Sequence, residues 1–195
     1  MGRSLDWAAA EQDYRRAIAL SPNRDSCVCE LAPFLAATGR LDESLREAQI
    51  SQGLKPDEDN LSFVLEIRGD HDRAIELLHR EVAAHPTDGG NHYSLFRNYA
   101  EIGTYKEAAQ ELESALTLMG APEMAASVQR GFAVSGYRGA MREYAKALEA
   151  AQREKRGFFP ENLAIAYTVL GEKDRAFYWL GQAYEHREKV SLDWG

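Results

Sequence analysis

The sequence predicts an all-α fold, an α-solenoid of antiparallel helix pairs. Three observations predict it. Glycine recurs at positions 39, 69, 103, 136 and 171, at steps of 30, 34, 33 and 35 residues. Four residues before each stands a large apolar residue, Leu35, Leu65, Tyr99, Phe132 or Tyr167, and eight before stands Leu31, Leu61, Leu95, Val128 or Leu163. That four-residue step keeps side chains on one helix face. Five residues after each glycine comes Ser44, Ala74, Ala108, Met141 or Ala176, mostly small, where a second helix must approach the first. Glycine suits the position just past a helix end, where a left-handed backbone costs it little. A fixed period of this length is the signature of a repeat array.

The elements follow in order within one array over residues 1–195. A leading helix spans 5–22, with Ala10, Tyr14 and Ala17 on one face and Pro22 ending it. Helix pairs follow over 25–56, 57–86, 89–120, 122–156 and 157–188, and 189–195 form a tail. N-cap candidates open the second helices: Asp42, Asp70, Thr104 and Asp174. Pro56 and Pro86 close units. Pro33 falls inside the first unit's first helix, where it removes a backbone donor and bends the helix. The second unit is short, 30 residues from Pro56 to Pro86, so its first helix loses about one turn. The fourth unit carries Met141 and Leu148 where small residues are expected, which requires a local packing adjustment.

This pattern resembles the tetratricopeptide repeat, a helix–turn–helix of about 34 residues. Leu95, Tyr99, Gly103, Ala108, Leu112 and Ala115 fit it in a central unit; Leu163, Ala164, Tyr167, Gly171, Ala176, Leu180 and Ala183 fit it in the last. The resemblance implies a right-handed TPR-like superhelix whose first helices line a concave groove for an extended peptide or a partner helix. The family's tryptophan in the first helix is absent, replaced by Val28, His92, Ala125 and Pro160. The last unit is also similar to final units of bacterial regulators in which the array follows a winged-helix or protein-kinase domain. That gives the alternative reading, a sensor or regulatory fragment of a larger transcriptional regulator or kinase.

Composition narrows the function. Lys and Arg number 23 against 31 Asp and Glu, a net charge of −8. Nucleic-acid binding needs a concentrated basic face, so no nucleic-acid partner is expected. No apolar run reaches the roughly 18–20 residues that span a bilayer, and no signal-peptide stretch opens the chain. A cytoplasmic protein without a membrane role is the expectation. Cys27 and Cys29 are too few for a disulfide framework and too closely spaced to bridge along a helix; they read as small core or semi-core residues. The start inside a second helix and the end at Gly195, with no evident capping helix, suggest a fragment, or a short array closed by self-association of its raw ends.

No catalytic constellation stands out. The five histidines, at 71, 79, 85, 92 and 186, have no ligand-like spacing, and neither a phosphate loop nor a nucleophile–base set is visible. No enzyme, metal or cofactor is expected. His71 reads as a solvated turn residue, and Glu43/Glu47 and Glu107/Glu111 as solvated outer faces. Phe158 and Phe159 read as a staple into the last unit's first helix. Phe177, Tyr178 and Trp179 are consecutive and cannot share one helix face, so at least one lies near the surface.

Function is expected in the groove that the resemblance implies. The groove positions are Cys29 and Pro33 in the first unit, Tyr93, Arg97 and Glu101 in the third, Ala126 and Arg130 in the fourth, and Glu161, Asn162 and Ile165 in the fifth. Arg97 and Arg130 are equivalent positions 33 residues apart and are expected side by side. A guanidinium matches a carboxylate with two parallel hydrogen bonds, so an acidic side chain or chain terminus of a protein or peptide partner is their expected ligand. An ion pair with Glu101 or another carboxylate of the groove is the competing reading. The Lys and Asn clamp of the chaperone-binding members of the family is absent.

Overall fold

The structure, a computed structural model, describes residues 7–20, 25–54, 60–157 and 159–192, the side chains of 25–29, 54 and 187–192 apart. Among them all regular structure is helical: α1 (Trp7–Leu20), α2 (Asp25–Ala37), α3 (Leu41–Leu54), α4 (Asn60–Arg68), α5 (His71–Ala84), α6 (Gly89–Glu101), α7 (Tyr105–Leu118), α8 (Pro122–Arg153), α9 (Pro160–Leu170) and α10 (Lys173–Leu192). The chain divides into two compact units, Met1–Gly103 with α1–α6 and Thr104–Gly195 with α7–α10. The division falls at the corner glycine of the third predicted pair.

The corners show why the glycines recur. Gly39, Gly69 and Gly171 have φ of +78°, +78° and +76°, with open space where a Cβ would stand. Handedness alone, not crowding, selects glycine there. Each closes a Schellman turn: Gly39 N–H donates to Ala36 O (3.0 Å) and Arg40 N–H to Leu35 O (2.9 Å), with the same pair of bonds at Gly69 and Gly171. The large apolar residue four before the glycine therefore works twice. Leu35, Leu65 and Tyr167 are buried, and their carbonyls receive the last amide of the turn.

The residue after the glycine ends one helix and begins the next. Arg40 O accepts from Ser44 N–H, Asp70 O from Ala74 N–H, and Glu172 O from Ala176 N–H. This corrects two of the expected N-caps. Asp70 and Thr104 hold the cap position, though neither side chain makes a capping bond, but Asp42 and Asp174 lie two residues past it, inside the first turn, because the Schellman turn has already placed Arg40 and Glu172 there. Asp42 is instead paired with Arg68 across helices at 2.7 Å.

In the first unit α1 packs on α2, α2 on α3 and α4, and each later helix on the one before. Leu61, Val64 and Leu65 of α4 form the core with Ala32, Ala48 and Ala74. At the close-approach position Ser44 replaces alanine, and its hydroxyl donates to Ala32 O at 2.7 Å, so a buried polar group is satisfied by the facing helix. The shortened α4 has nine residues against 13 in α2 and α6. Pro33 lies inside α2 as expected. Pro22, Pro56, Phe158 and the Cys27 and Cys29 side chains lie outside the described residues.

In the second unit α7 packs on α8, α8 on α9 and α9 on α10. Helix α8 is two arms broken at Ser135 (φ −145°, ψ 27°) and Gly136 (φ 59°, ψ −152°), the fourth predicted corner. Here the expected local adjustment is visible. Met141 and Leu148 are buried, and the closest approach moves to Gly131 and Gly139. A Cβ on Gly131 would stand 2.7 Å from the Gly139 carbonyl carbon and closer to its oxygen; one on Gly139 would meet Gly131 likewise. Backbone lies on backbone, which only glycine permits. On α10, Trp179 is buried while Phe177 and Tyr178 are 71% and 59% exposed, as the three-in-a-row argument requires. Leu180, which fits the repeat pattern, is 49% exposed too.

Candidate functional site

The two arginines that the repeat register makes equivalent fall in different units, and each has its own setting. In the first unit, α6 carries Tyr93, Arg97 and Glu101. The Arg97 guanidinium is ion-paired with Glu66 of α4, whose side chain is only 11% exposed, while Arg97 itself keeps 40% exposure. Asn98, fully buried, donates from Nδ2 to Ser94 O (2.9 Å) and to Glu66 Oε2 (3.3 Å), and its Oδ1 lies 2.9 Å from His71 Nδ1. Burial pushes the Glu66 carboxyl above its ordinary value, with Arg97 and the Asn98 amide pulling the other way.

This is a half-buried polar network joining α4, α5 and α6. His71 is thus a member of the network rather than a solvated turn residue, because Asn98, 27 residues on, reaches it. No local sequence signal marks that contact. Tyr93 packs its ring on Phe96 at 5.3 Å, and Glu101 is exposed at the end of α6. His79 lies 2.8 Å by Nε2 from Tyr99 Oη.

In the second unit Arg130 is exposed on the first arm of α8. It donates to Ser127 Oγ at 2.9 Å, one turn back on the same arm. Glu161 is exposed at the start of α9, and Asn162 Nδ2 donates to Tyr144 Oη at 3.0 Å. Nearby, Tyr167 Oη donates to Glu149 at 2.7 Å, and Arg175 binds the same carboxylate at 2.6 Å while lying 3.9 Å above the Tyr167 ring. Burial, and then the bond to Glu149, push the Tyr167 hydroxyl well above its ordinary value. That cluster ties α8, α9 and α10 together and presents no reactive group.

The competing expectation for Arg97, an ion pair with a carboxylate of this chain, is what the structure has, but the partner is Glu66 of α4 and not Glu101, and naming it needs the α4–α5–α6 packing to be known. Sequence reasoning missed Gly131 and Gly139. Their signal was present, two extra glycines eight residues apart in the one unit whose close-approach residue is large. Among the described residues no group of three or more His, Cys, Asp and Glu could hold a metal, and no helix is long and apolar enough to cross a membrane.

The chain matches no protein-family model and no curated protein sequence. It is similar to solved structures of MamA. A crystal structure of MamA aligns over 96% of this chain and 92% of its own, at 17% identity and a TM-score of 0.51. MamA residues 41 to the end, from Desulfovibrio magneticus RS-1, align over 76% of this chain and 88% of their own, at 18% identity and a TM-score of 0.58. The MamA RS-1 ArsTM double mutant aligns over 76% and 86%, at 18% identity and 0.57. At such identities the likeness carries the fold: consecutive helix pairs of TPR-like form.

Proposed function

We propose that this chain is a non-catalytic scaffold that binds a protein or peptide partner through its first helices. One observation carries the reading. After each pair has buried its apolar face, the first helices still turn polar residues outward: half-exposed Arg97 and exposed Glu101 on α6, exposed Arg130 on α8, exposed Glu161 on α9. Within each unit, such polar residues on the outer side of stacked helices, Arg97 and Glu101 in the first and Arg130 and Glu161 in the second, are what a partner segment can read. An acidic group is the partner feature that Arg130 fits. Arg97 is held by Glu66 and contributes where a partner carboxylate competes for it.

The alternative of a sensor domain predicts a small-molecule or effector pocket in the concave face. Two hollows among the described residues of the second unit, of about 480 and 280 Å³, are open to solvent. The open first-helix faces favour the scaffold.

Affinity capture with the intact chain as bait tests the proposal. Arg130→Gln is the first variant. The second is Glu66→Gln/Arg97→Gln, which removes the Arg97 cation without stranding Glu66. A partner kept by the original bait and lost by a variant of unchanged circular dichroism supports the reading. Identical recoveries from all three baits, or none from any, refute it.

A further inference from the structure

The described arginines divide into two kinds. Arg15, Arg40, Arg68, Arg73, Arg80, Arg97, Arg156 and Arg175 are each ion-paired to a carboxylate of this chain. Arg16, Arg46, Arg130, Arg138, Arg142 and Arg153 show no such pair among the described residues, although the chain carries an excess of acidic groups; of these, Arg130 and Arg142 stand together. Both line one hollow of about 280 Å³. Its wall also includes Gly131 and Gly139, where the two arms of α8 meet backbone on backbone, and Val134, 84% exposed. Glu143 lines it too, but its carboxylate is taken by Lys146 Nζ at 2.7 Å. Arg130 has only the Ser127 hydroxyl.

We infer that this hollow is a carboxylate-binding site, reading an acidic side chain or chain terminus of a polypeptide next to an aliphatic group. Two guanidiniums that share one hollow repel each other, and an anion between them relieves the repulsion. Each guanidinium offers a planar pair of N–H donors matched to a carboxylate. Val134 supplies an apolar surface at the edge, where an aliphatic side chain beside the carboxylate loses its water. The inference replaces the expected Arg97–Arg130 pairing with Arg130 and Arg142, which lie in one unit. Its partner class rests on the scaffold reading; its chemistry does not.

The test is a titration of the intact ¹⁵N-labelled chain with glutarate, followed on arginine Nε–Hε and backbone amide signals. Phosphate and chloride at equal ionic strength run alongside. Saturable movement is expected of the Arg130 and Arg142 side chains and of the Gly131 and Gly139 amides, with glutarate ahead of phosphate. Arg142→Gln is expected to weaken binding at least about tenfold, the loss of one bidentate partner. Arg153→Gln, at an exposed arginine outside the hollow, is expected to bind as the original does. Parallel unsaturable movement of Arg46 and Arg153 overturns the site as bulk screening. Tighter phosphate binding, or unchanged affinity in Arg142→Gln with native circular dichroism, overturns it also. The titration decides the hollow by itself, and the capture experiment decides the scaffold, so the two fail separately.

Discussion

Replacing Gly139 with alanine tests the packing of the second unit where it is tightest. The added Cβ stands 2.9 Å from the Gly131 carbonyl carbon and from Ser135 Cβ, and closer to the Gly131 oxygen; real Cβ contacts essentially never fall under 3.0 Å. The obstacle is backbone, so no side chain can rotate away and the two arms of α8 must part. Overpacking of this kind costs about 1–3 kcal/mol. Alanine returns about 0.5–1 kcal/mol of helix preference. The net is a loss of about 1–2 kcal/mol, or roughly 2–8 °C in Tm for a chain of this length. Gly181→Ala on α10 is the control, since its Cβ meets nothing within 4 Å and only the helix gain of about 0.5–1 kcal/mol remains. Thermal and urea unfolding by circular dichroism read both. Should Gly139→Ala prove as stable as Gly181→Ala, the backbone crossing is wrong.

Four further outcomes follow from the structure. Lys155 is a non-glycine residue with positive φ (56°), closing a Schellman turn at the end of α8, so Lys155→Gly is expected to raise stability by about 1 kcal/mol in the same assays. Arg97→Gln strands the poorly exposed Glu66 and is expected to cost about 1–2 kcal/mol, discounted for Arg97's own exposure, whereas Glu66→Gln is neutral or stabilising and rescues it in the double variant. The pH dependence has two opposed parts, read by Tm from pH 3 to 8. Glu11 and Glu43 are held below their ordinary value of 4.5, first by hydrogen bonds from Arg40, so their contribution is full above that value and lost as pH falls through their lower folded values. Glu66 is raised, so its contribution is full below 4.5 and lost as pH rises, and Glu66→Gln should flatten that limb. Finally, Phe177→Ser is expected within about 0.5 kcal/mol of the original, while Trp179→Ala, two residues on, costs about 3–5 kcal/mol by urea denaturation.

The helices were legible because their signal is local. Leu31 and Leu35, Leu61 and Leu65, and Leu163 and Tyr167 share a face by spacing alone, and the glycine that follows needs only its own φ to turn the chain. What sequence could not supply is which groups meet across helices. Arg97 and Glu66 stand 31 residues apart, and His71 and Asn98 27; no periodicity marks them as partners. The N-caps failed for a related reason. Preference puts aspartate at 42 and 174, but the turn's hydrogen bonds, not the side chain, choose the cap. In the fourth unit the large Met141 announced an exception without saying that Gly131 and Gly139 would resolve it. The pairing of Arg130 with Arg142 likewise appears only once the arms of α8 are folded back on each other.

Helix α1 contains no buried residue. Its contacts include Trp7 and Tyr14 against Phe34, at 5.8 and 5.4 Å between rings, and the ion pairs of Glu11 with Arg40 at 2.5 Å and of Arg15 with Glu43 at 3.7 Å. Contacts so exposed place it at the low end of local stabilities, where a segment opens while the rest of its unit stays folded. Its amide protons therefore exchange early, and faster in high salt, which screens the ion pairs but leaves the ring contacts. Each opening bares Phe34, so the first unit acquires a transient apolar face whose population rises with ionic strength.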